Sequence, residues 1–219
     1  MTRRAHLVGS IPGNNAKEAM EAALTHLAPY LLTLSDGETG PRSWWIGACL
    51  HNLESDPDIE VVRRGDFSSY EKTSLFGVRE GVTLSSKNLD DCLPYESAFR
   101  ESFPLFKKLR VTYGRPDLPF QVGIPTQLDL SVDTFGYPDG MAPHLYEPCL
   151  DATANQLMRI HAAGGEDIVF QMETPASLIA VAGADESAAP TMAQHIAERL
   201  IRSSPLFRPD FGVEWRQAT

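Results

Sequence analysis

The sequence predicts an α/β fold built on parallel strands. Two short apolar runs, residues 5–8 and 30–34, flank a stretch with helical spacing that Asn14 or Asn15 can cap. Parallel strands need a crossover connection, and the helix between these two runs supplies one. The 16 glycines and 16 prolines among the 219 residues suit the many turns of such a fold. The chain therefore opens as a βαβ unit.

The rest of the chain continues to alternate helices with short apolar strands. We expect Pro104 to divide the helix over residues 95–109 in two. We expect the long helix over residues 145–163 to end at Gly164 and Gly165. The further predicted elements are helices at 42–52, 95–109, 145–163 and 191–201, a strand pair at 59–63 and 82–84, and buried strands at 120–124, 168–172 and 211–215. About five parallel strands result. No repeat or linker divides the chain, so we expect one domain over residues 1–219.

Charge and composition narrow the partners that the chain can take. The formal net charge of −10 repels nucleic acid and anionic lipid, which leaves small cationic or zwitterionic ligands. No run approaches the roughly 18–20 apolar residues of a membrane span, and no apolar region follows the first residues as in a signal peptide. The three cysteines are an odd number without a CxxC spacing. These features predict a cytoplasmic protein.

Polar side chains stand where the predicted strands end. In parallel α/β sheets, ligands bind beyond the carboxyl ends of the strands. The residues at those ends are Gly9 and Ser10, then Asp36 and Glu38, then Thr126 and Asp129, and finally Gln171 and Glu173. A hydroxyl group and two carboxylates at one rim suit the ammonium and carboxylate groups of an amino acid. We therefore predict a small-molecule site at Gly9, Ser10, Asp36, Glu38, Gln171 and Glu173.

Some of these residues have a plainer interpretation. Asp36 is followed by glycine, and a Ser-Asp-Gly sequence is also ordinary turn chemistry. For Glu173 we favour a functional role, because a carboxylate directly after an apolar strand costs free energy of folding unless it has a partner. Trp44 either lines the pocket, as Thr126 and Asp129 are expected to do, or packs in the core.

Three motifs in this order resemble a known family. They are His6-Leu7-Val8-Gly9-Ser10-Ile11-Pro12, Ser35-Asp36-Gly37-Glu38 and Gln171-Met172-Glu173-Thr174-Pro175-Ala176. Together they resemble the catalytic barrel of cobalamin-independent methionine synthase, in the methionine-synthase-like branch of the superfamily that includes uroporphyrinogen decarboxylase. The resemblance implies a TIM-type (β/α)8 barrel, of which this chain holds the N-terminal part, about five βα units. It also implies that Ser10, Glu38 and Glu173 bind an amino acid.

The resemblance is incomplete at two places. Glu173 and Thr174 stand where the family has aspartate and glutamate. The family binds zinc through a histidine and a cysteine that correspond to Glu214 and Arg216 here, so the zinc that the family uses to activate a thiol is not expected in this chain. The sequence assigns no catalytic residue. An open sheet of five strands also leaves an exposed edge, which implies a homo-oligomer, a partner subunit that completes the barrel, or a shortened form of a longer protein.

Three functions remain open on these grounds. The first is a methionine-synthase-like protein that binds an amino acid or small thiol, with implied methyltransferase activity. The second is a non-catalytic binding or assembly protein without the zinc site. The third is a metal-independent lyase or decarboxylase, for which Arg42 is the arginine near a predicted rim loop.

Overall fold

The computed structural model describes residues 3–69 and 72–203, and all structural statements concern these residues. The predicted strand over residues 211–215 lies outside them. The helices are α1 (Ala16–Leu27), α2 (Trp45–Leu53), α3 (Ser86–Asp90), α4 (Tyr95–Thr112), α5 (Gln127–Phe135), α6 (Pro143–Gly164), α7 (Pro175–Gly183) and α8 (Ala189–Ser203). The strands are β1 (Ile59–Arg63), β2 (Leu75–Val78), β3 (Phe120–Pro125) and β4 (Ile168–Glu173). The fold is mixed α/β.

Four parallel segments follow one another in chain order. The first bridge segment, residues 5–8, pairs with the second bridge segment, residues 31–34, through Ala5 and Leu31. The second pairs with β3 through Leu34 and Phe120, and β3 pairs in parallel register with β4. Within the described residues these segments do not close into a barrel, and they form part of an α/β fold with parallel strands.

The first bridge segment makes a single bridge because its other carbonyl groups are taken by side chains. The backbone of Ala5 pairs with Tyr30 and Leu32. The carbonyl groups of Leu7 and Val8 instead accept hydrogen bonds from the Gln121 side chain, at 2.9 and 2.7 Å. The side chain of Gln121 in β3 therefore reaches across one face of the sheet to the first segment.

The helices cover the other face of the sheet. The side chain of Asn15 accepts from the backbone N–H of Glu18 and starts α1, whose buried face carries Met20 and Leu24. A short 3₁₀ turn, Gly40–Trp44, leads into α2, so the predicted helix begins with a different geometry. Gly165, with φ of 56°, ends α6 as predicted. None of the helices in the described ranges is long and apolar enough to cross a membrane.

Two sequence predictions were wrong. Helix α4 continues through Pro104 as one helix of 18 residues, since its buried aromatic face holds the two halves in line against β3. The partner of β1 is β2, and residues 82–84 lie in a turn and loop. The apolar pattern at 82–84 reflects the burial of Leu84 in the core, although Leu84 is not part of a strand.

The core centres on four phenylalanines between α4 and β3. Phe106 is fully buried, and its ring centroid lies 4.9 Å from that of Phe120 and 6.2 Å from that of Phe103. Phe99 and Phe103 stack at 4.7 Å. This packing holds β3 in place, and β3 carries the residues at the centre of the site described below.

We expect Phe106→Ala to lower the free energy of unfolding by about 3–5 kcal/mol, because it removes a fully buried ring and leaves a cavity. Urea denaturation measures the loss. Val111→Ala on the same helix is the control, since Val111 is 64% exposed and its truncation should change stability by less than about 0.5 kcal/mol. Equal effects of the two substitutions would contradict this packing.

Candidate binding site at the strand ends

The loops after the first two parallel segments are joined by hydrogen bonds. Ser35 donates its hydroxyl proton to the carbonyl of Gly9 at 2.8 Å, and the backbone N–H of Ile11 donates to the carbonyl of Gly37 at 2.9 Å. Gly37 has φ of 80°, and a methyl group there would lie 2.6 Å from Cβ of Ala19. Only glycine fits this turn, so the Ser-Asp-Gly sequence brings the two loops together.

Asp36 shapes its own loop. Its Oδ1 accepts from the backbone N–H of Glu38 at 3.1 Å. Its Oδ2 accepts from Arg42 at 2.7 Å and from Ser102 at 2.8 Å. These bonds fit the turn interpretation of Asp36, and they leave Arg42 paired with a carboxylate.

Glu38 is placed by backbone strain and by a hydrogen bond. Its φ of 48° lies in the left-handed region that non-glycine residues seldom adopt. Its Oε2 accepts from the hydroxyl of Ser10 at 2.8 Å. A methyl group added at Gly9 would lie 2.7 Å from Oε1 of Glu38, so the carboxylate occupies space that only a glycine leaves free.

Glu173 faces Glu38 across Gly123. The parallel register of β3 and β4 sets Glu173 opposite Pro125. A methyl group on Gly123 would lie 3.0 Å from Oε1 of Glu38 and 3.1 Å from Oε1 of Glu173, which places these two oxygens within about 6 Å of each other. Gln171 donates to the same oxygen of Glu173 at 3.0 Å. The structure therefore brings together Ser10, Glu38, Gln171 and Glu173, as the sequence predicted.

Burial raises the pKa of both carboxyl groups. For Glu38 the first cause is desolvation, which outweighs the hydrogen bond from Ser10, and the negative charges of Glu173 and Asp36 raise its pKa further. Desolvation also raises the pKa of Glu173, against the hydrogen bond from Gln171. A positive charge between them would relieve both costs.

A small recess opens beside Glu38. It has a volume of about 40 Å³, and Glu38, Arg42, Tyr95, Gln121 and Gly123 are among the residues that line it. That volume holds a group of one or two heavy atoms, such as an ammonium head group. Its lining includes Glu38 and does not include Ser10 or Glu173.

The three residues expected to line the pocket lie apart from this recess. Thr126 caps α5 by accepting from the backbone N–H of Asp129. Asp129 accepts from the backbone N–H groups of Ala176 and Ser177 at 2.9 and 3.1 Å and so holds the start of α7. Trp44 packs edge-on against Phe67 with ring centroids 5.7 Å apart, next to the core.

A second, apolar cavity lies between α5, α7 and α8. It has a volume of about 350 Å³, and its lining includes Leu128, Val132, Met141, Met192 and Ile196. Asp129 lies at its edge with both carboxylate oxygens already hydrogen-bonded. The sequence patterns did not predict this cavity.

Sequence reasoning also missed Gln121, Gly123 and His6. Gln121 is 2% exposed and bonds to the carbonyls of the first bridge segment and to Gln171. An available signal was the amide side chain inside the apolar strand at 120–124, since a buried amide needs partners. Gly123 in the same strand signals a close approach of another group.

In the resembled family, the zinc-ligand positions correspond to Glu214 and Arg216. No group of three or more His, Cys, Asp or Glu side chains in residues 3–69 and 72–203 is placed to hold a metal ion. Glu214 and Arg216 lie outside these ranges. A guanidinium is protonated in proteins and has no lone pair to offer, so Arg216 cannot be a ligand.

Comparison with protein-family models, with curated proteins and with solved structures finds no match to this chain.

Glu38→Gln should raise the free energy of unfolding at neutral pH. The pKa of Glu38 is raised in the folded state, so its ionised form destabilises the fold above that pKa, and the penalty fades as pH falls towards the unfolded value. Thermal unfolding at about pH 7 and about pH 4 measures this. Glu18→Gln is the control of opposite sign, since hydrogen bonds from Asn14 lower the pKa of Glu18. If Glu38→Gln lowers the free energy of unfolding at neutral pH, that result would contradict the claim that burial of the ionised carboxylate destabilises the fold.

Proposed function

We propose that this protein binds a small molecule through an ammonium group held between Glu38 and Glu173. The observation that carries the proposal is the convergence of the two carboxylates on Gly123. Both carboxyl groups have raised pKa values, and a cation between them would favour their ionised forms. Arg42 also lines the recess, but its charge is used by Asp36.

We further infer that the chain forms the N-terminal part of a (β/α)8 barrel. The four parallel segments in chain order are the arrangement that such a barrel requires. The ends of these segments carry the site, as ligand sites do in barrels. A second copy of the chain, a partner subunit or the remainder of a longer protein would then complete the barrel.

An amino acid is the ligand that we propose. The ligand class comes from the resemblance to methionine synthase, and the carboxylate pair supports it through the amino group. The hydroxyl of Ser10 donates to Glu38 and so orients that carboxylate. Methyl transfer to a thiol is the activity that the same resemblance implies.

A non-catalytic binding protein is the second candidate. The observation that favours it is Arg216 at a position where the resembled family has a zinc ligand. Metal analysis of the purified protein separates the two candidates, since stoichiometric zinc would count against the second. A decarboxylase that binds an acidic substrate through Arg42 is disfavoured, because Arg42 is paired with Asp36.

Glu38→Gln and Glu173→Gln should each weaken methionine binding by about 10–100-fold, the worth of one charge-assisted hydrogen bond. Isothermal titration calorimetry measures the affinity. Gly123→Ala should weaken binding as well. This substitution keeps both charges, but its methyl group fills the space between the carboxylates.

Glu21→Gln on α1 is the matched control, since Glu21 pairs only with Lys17 on its own helix among the described contacts. It should leave the affinity unchanged. The proposed site would be contradicted if the wild type bound neither methionine nor homocysteine, or if Glu38→Gln bound methionine with unchanged affinity.

A further inference from the structure

Backbone carbonyls fix the orientation of two glutamine side chains on one face of the sheet. The amide nitrogen of Gln121 faces the carbonyls of Leu7 and Val8 at 2.9 and 2.7 Å, and carbonyls only accept hydrogen bonds. The amide nitrogen of Gln171 likewise donates to the carbonyl of Val8, and to Oε1 of Glu173 at 3.0 Å. Neither amide can be turned over without placing oxygen against oxygen.

This orientation determines what His6 must do. The oxygen of Gln171 accepts from the amide nitrogen of Gln121 at 3.0 Å and lies 2.7 Å from Nε2 of His6. Because that oxygen cannot donate, Nε2 of His6 must carry a hydrogen and donate it. The other ring nitrogen, Nδ1, lies 3.5 Å from the hydroxyl of Thr33, which donates to Gln121.

We propose that His6 is a positioning residue of the binding site and acts on Glu173 through Gln171. The proposal rests on the proposed function. His6 holds the oxygen of Gln171, and this directs the nitrogen of Gln171 towards Glu173. Loss of the donor at Nε2 removes one of the two hydrogen bonds that the oxygen of Gln171 accepts, and this loosens the side chain that donates to Glu173.

Two substitutions separate the two ring nitrogens of His6. A glutamine places its amide nitrogen near the position of Nε2, and an asparagine places it near Nδ1. We expect His6→Asn to weaken methionine binding roughly threefold to tenfold, the worth of one neutral hydrogen bond, and His6→Gln to bind within about twofold of wild type. His26→Ala on α1 is the control and should bind like wild type. Equal binding by all variants, or rescue by asparagine and not by glutamine, would overturn the proposal.

Nuclear magnetic resonance tests the hydrogen-bond chain without any ligand. The nitrogen chemical shifts of the two ring nitrogens report the tautomer, and we expect the Nε2-protonated form in the wild-type protein. The preference for that form should weaken in Gln171→Leu and persist in Glu173→Gln. A ring protonated at Nδ1, or a tautomer preference unaffected by Gln171→Leu, would overturn the proposal. If methionine does not bind the wild type, the proposed function fails. The spectrum alone then tests whether His6 donates a hydrogen bond to Gln171.

Discussion

The carboxylate of Glu38 packs against the backbone of two glycines, Gly9 and Gly123, and this contact limits how the strand ends can be arranged. A methyl group on Gly9 would lie 2.7 Å from Oε1 of Glu38 and one on Gly123 would lie 3.0 Å from it, so a side chain at either glycine would displace the carboxylate. Glu38 and Glu173 meet at Gly123, and the Glu38 loop has a left-handed backbone. Strained backbone of this kind persists where surrounding contacts determine it, here the hydrogen bonds of Ser35 and Asp36.

The sequence predicted the residues of the site better than the elements that carry them. Ser10, Glu38 and Glu173 were found because polar residues that directly follow apolar runs mark strand ends, and parallel strands bring those ends to one edge. The roles of Asp36 and Asp129 were not decided by the sequence. Both are acidic residues just beyond strand ends, Asp36 in a loop and Asp129 in the first turn of α5, and only the contacts show that Asp36 holds Arg42 and that Asp129 caps α7.

Other features depend on contacts between distant residues, which local patterns do not contain. The continuity of α4 through Pro104 depends on packing against Phe120 of β3. The choice of β2 as the partner of β1 depends on a pairing across a loop of irregular composition. The link from His6 to Glu173 runs through the amide group of Gln171, which is 165 residues from His6, and no spacing in the sequence predicts it.

The site combines a well-packed support with two carboxylates that are destabilised in their ionised forms. The phenylalanines of α4 fix β3, and the two glutamines satisfy the carbonyls of the first bridge segment. Against this support stand two half-buried carboxylates whose mutual repulsion and desolvation disfavour their ionised forms. Costs of this kind are concentrated at functional sites, where a ligand of opposite charge offsets them.

The most direct test compares methionine with its 2-hydroxy analogue, which replaces the ammonium group by a hydroxyl group and keeps the rest of the molecule. If Glu38 and Glu173 bind an ammonium group, calorimetry on the wild-type protein should show methionine bound at least about tenfold more tightly, and this preference should disappear in the Glu38→Gln Glu173→Gln double variant. Equal affinity of the wild type for the two compounds would contradict the account.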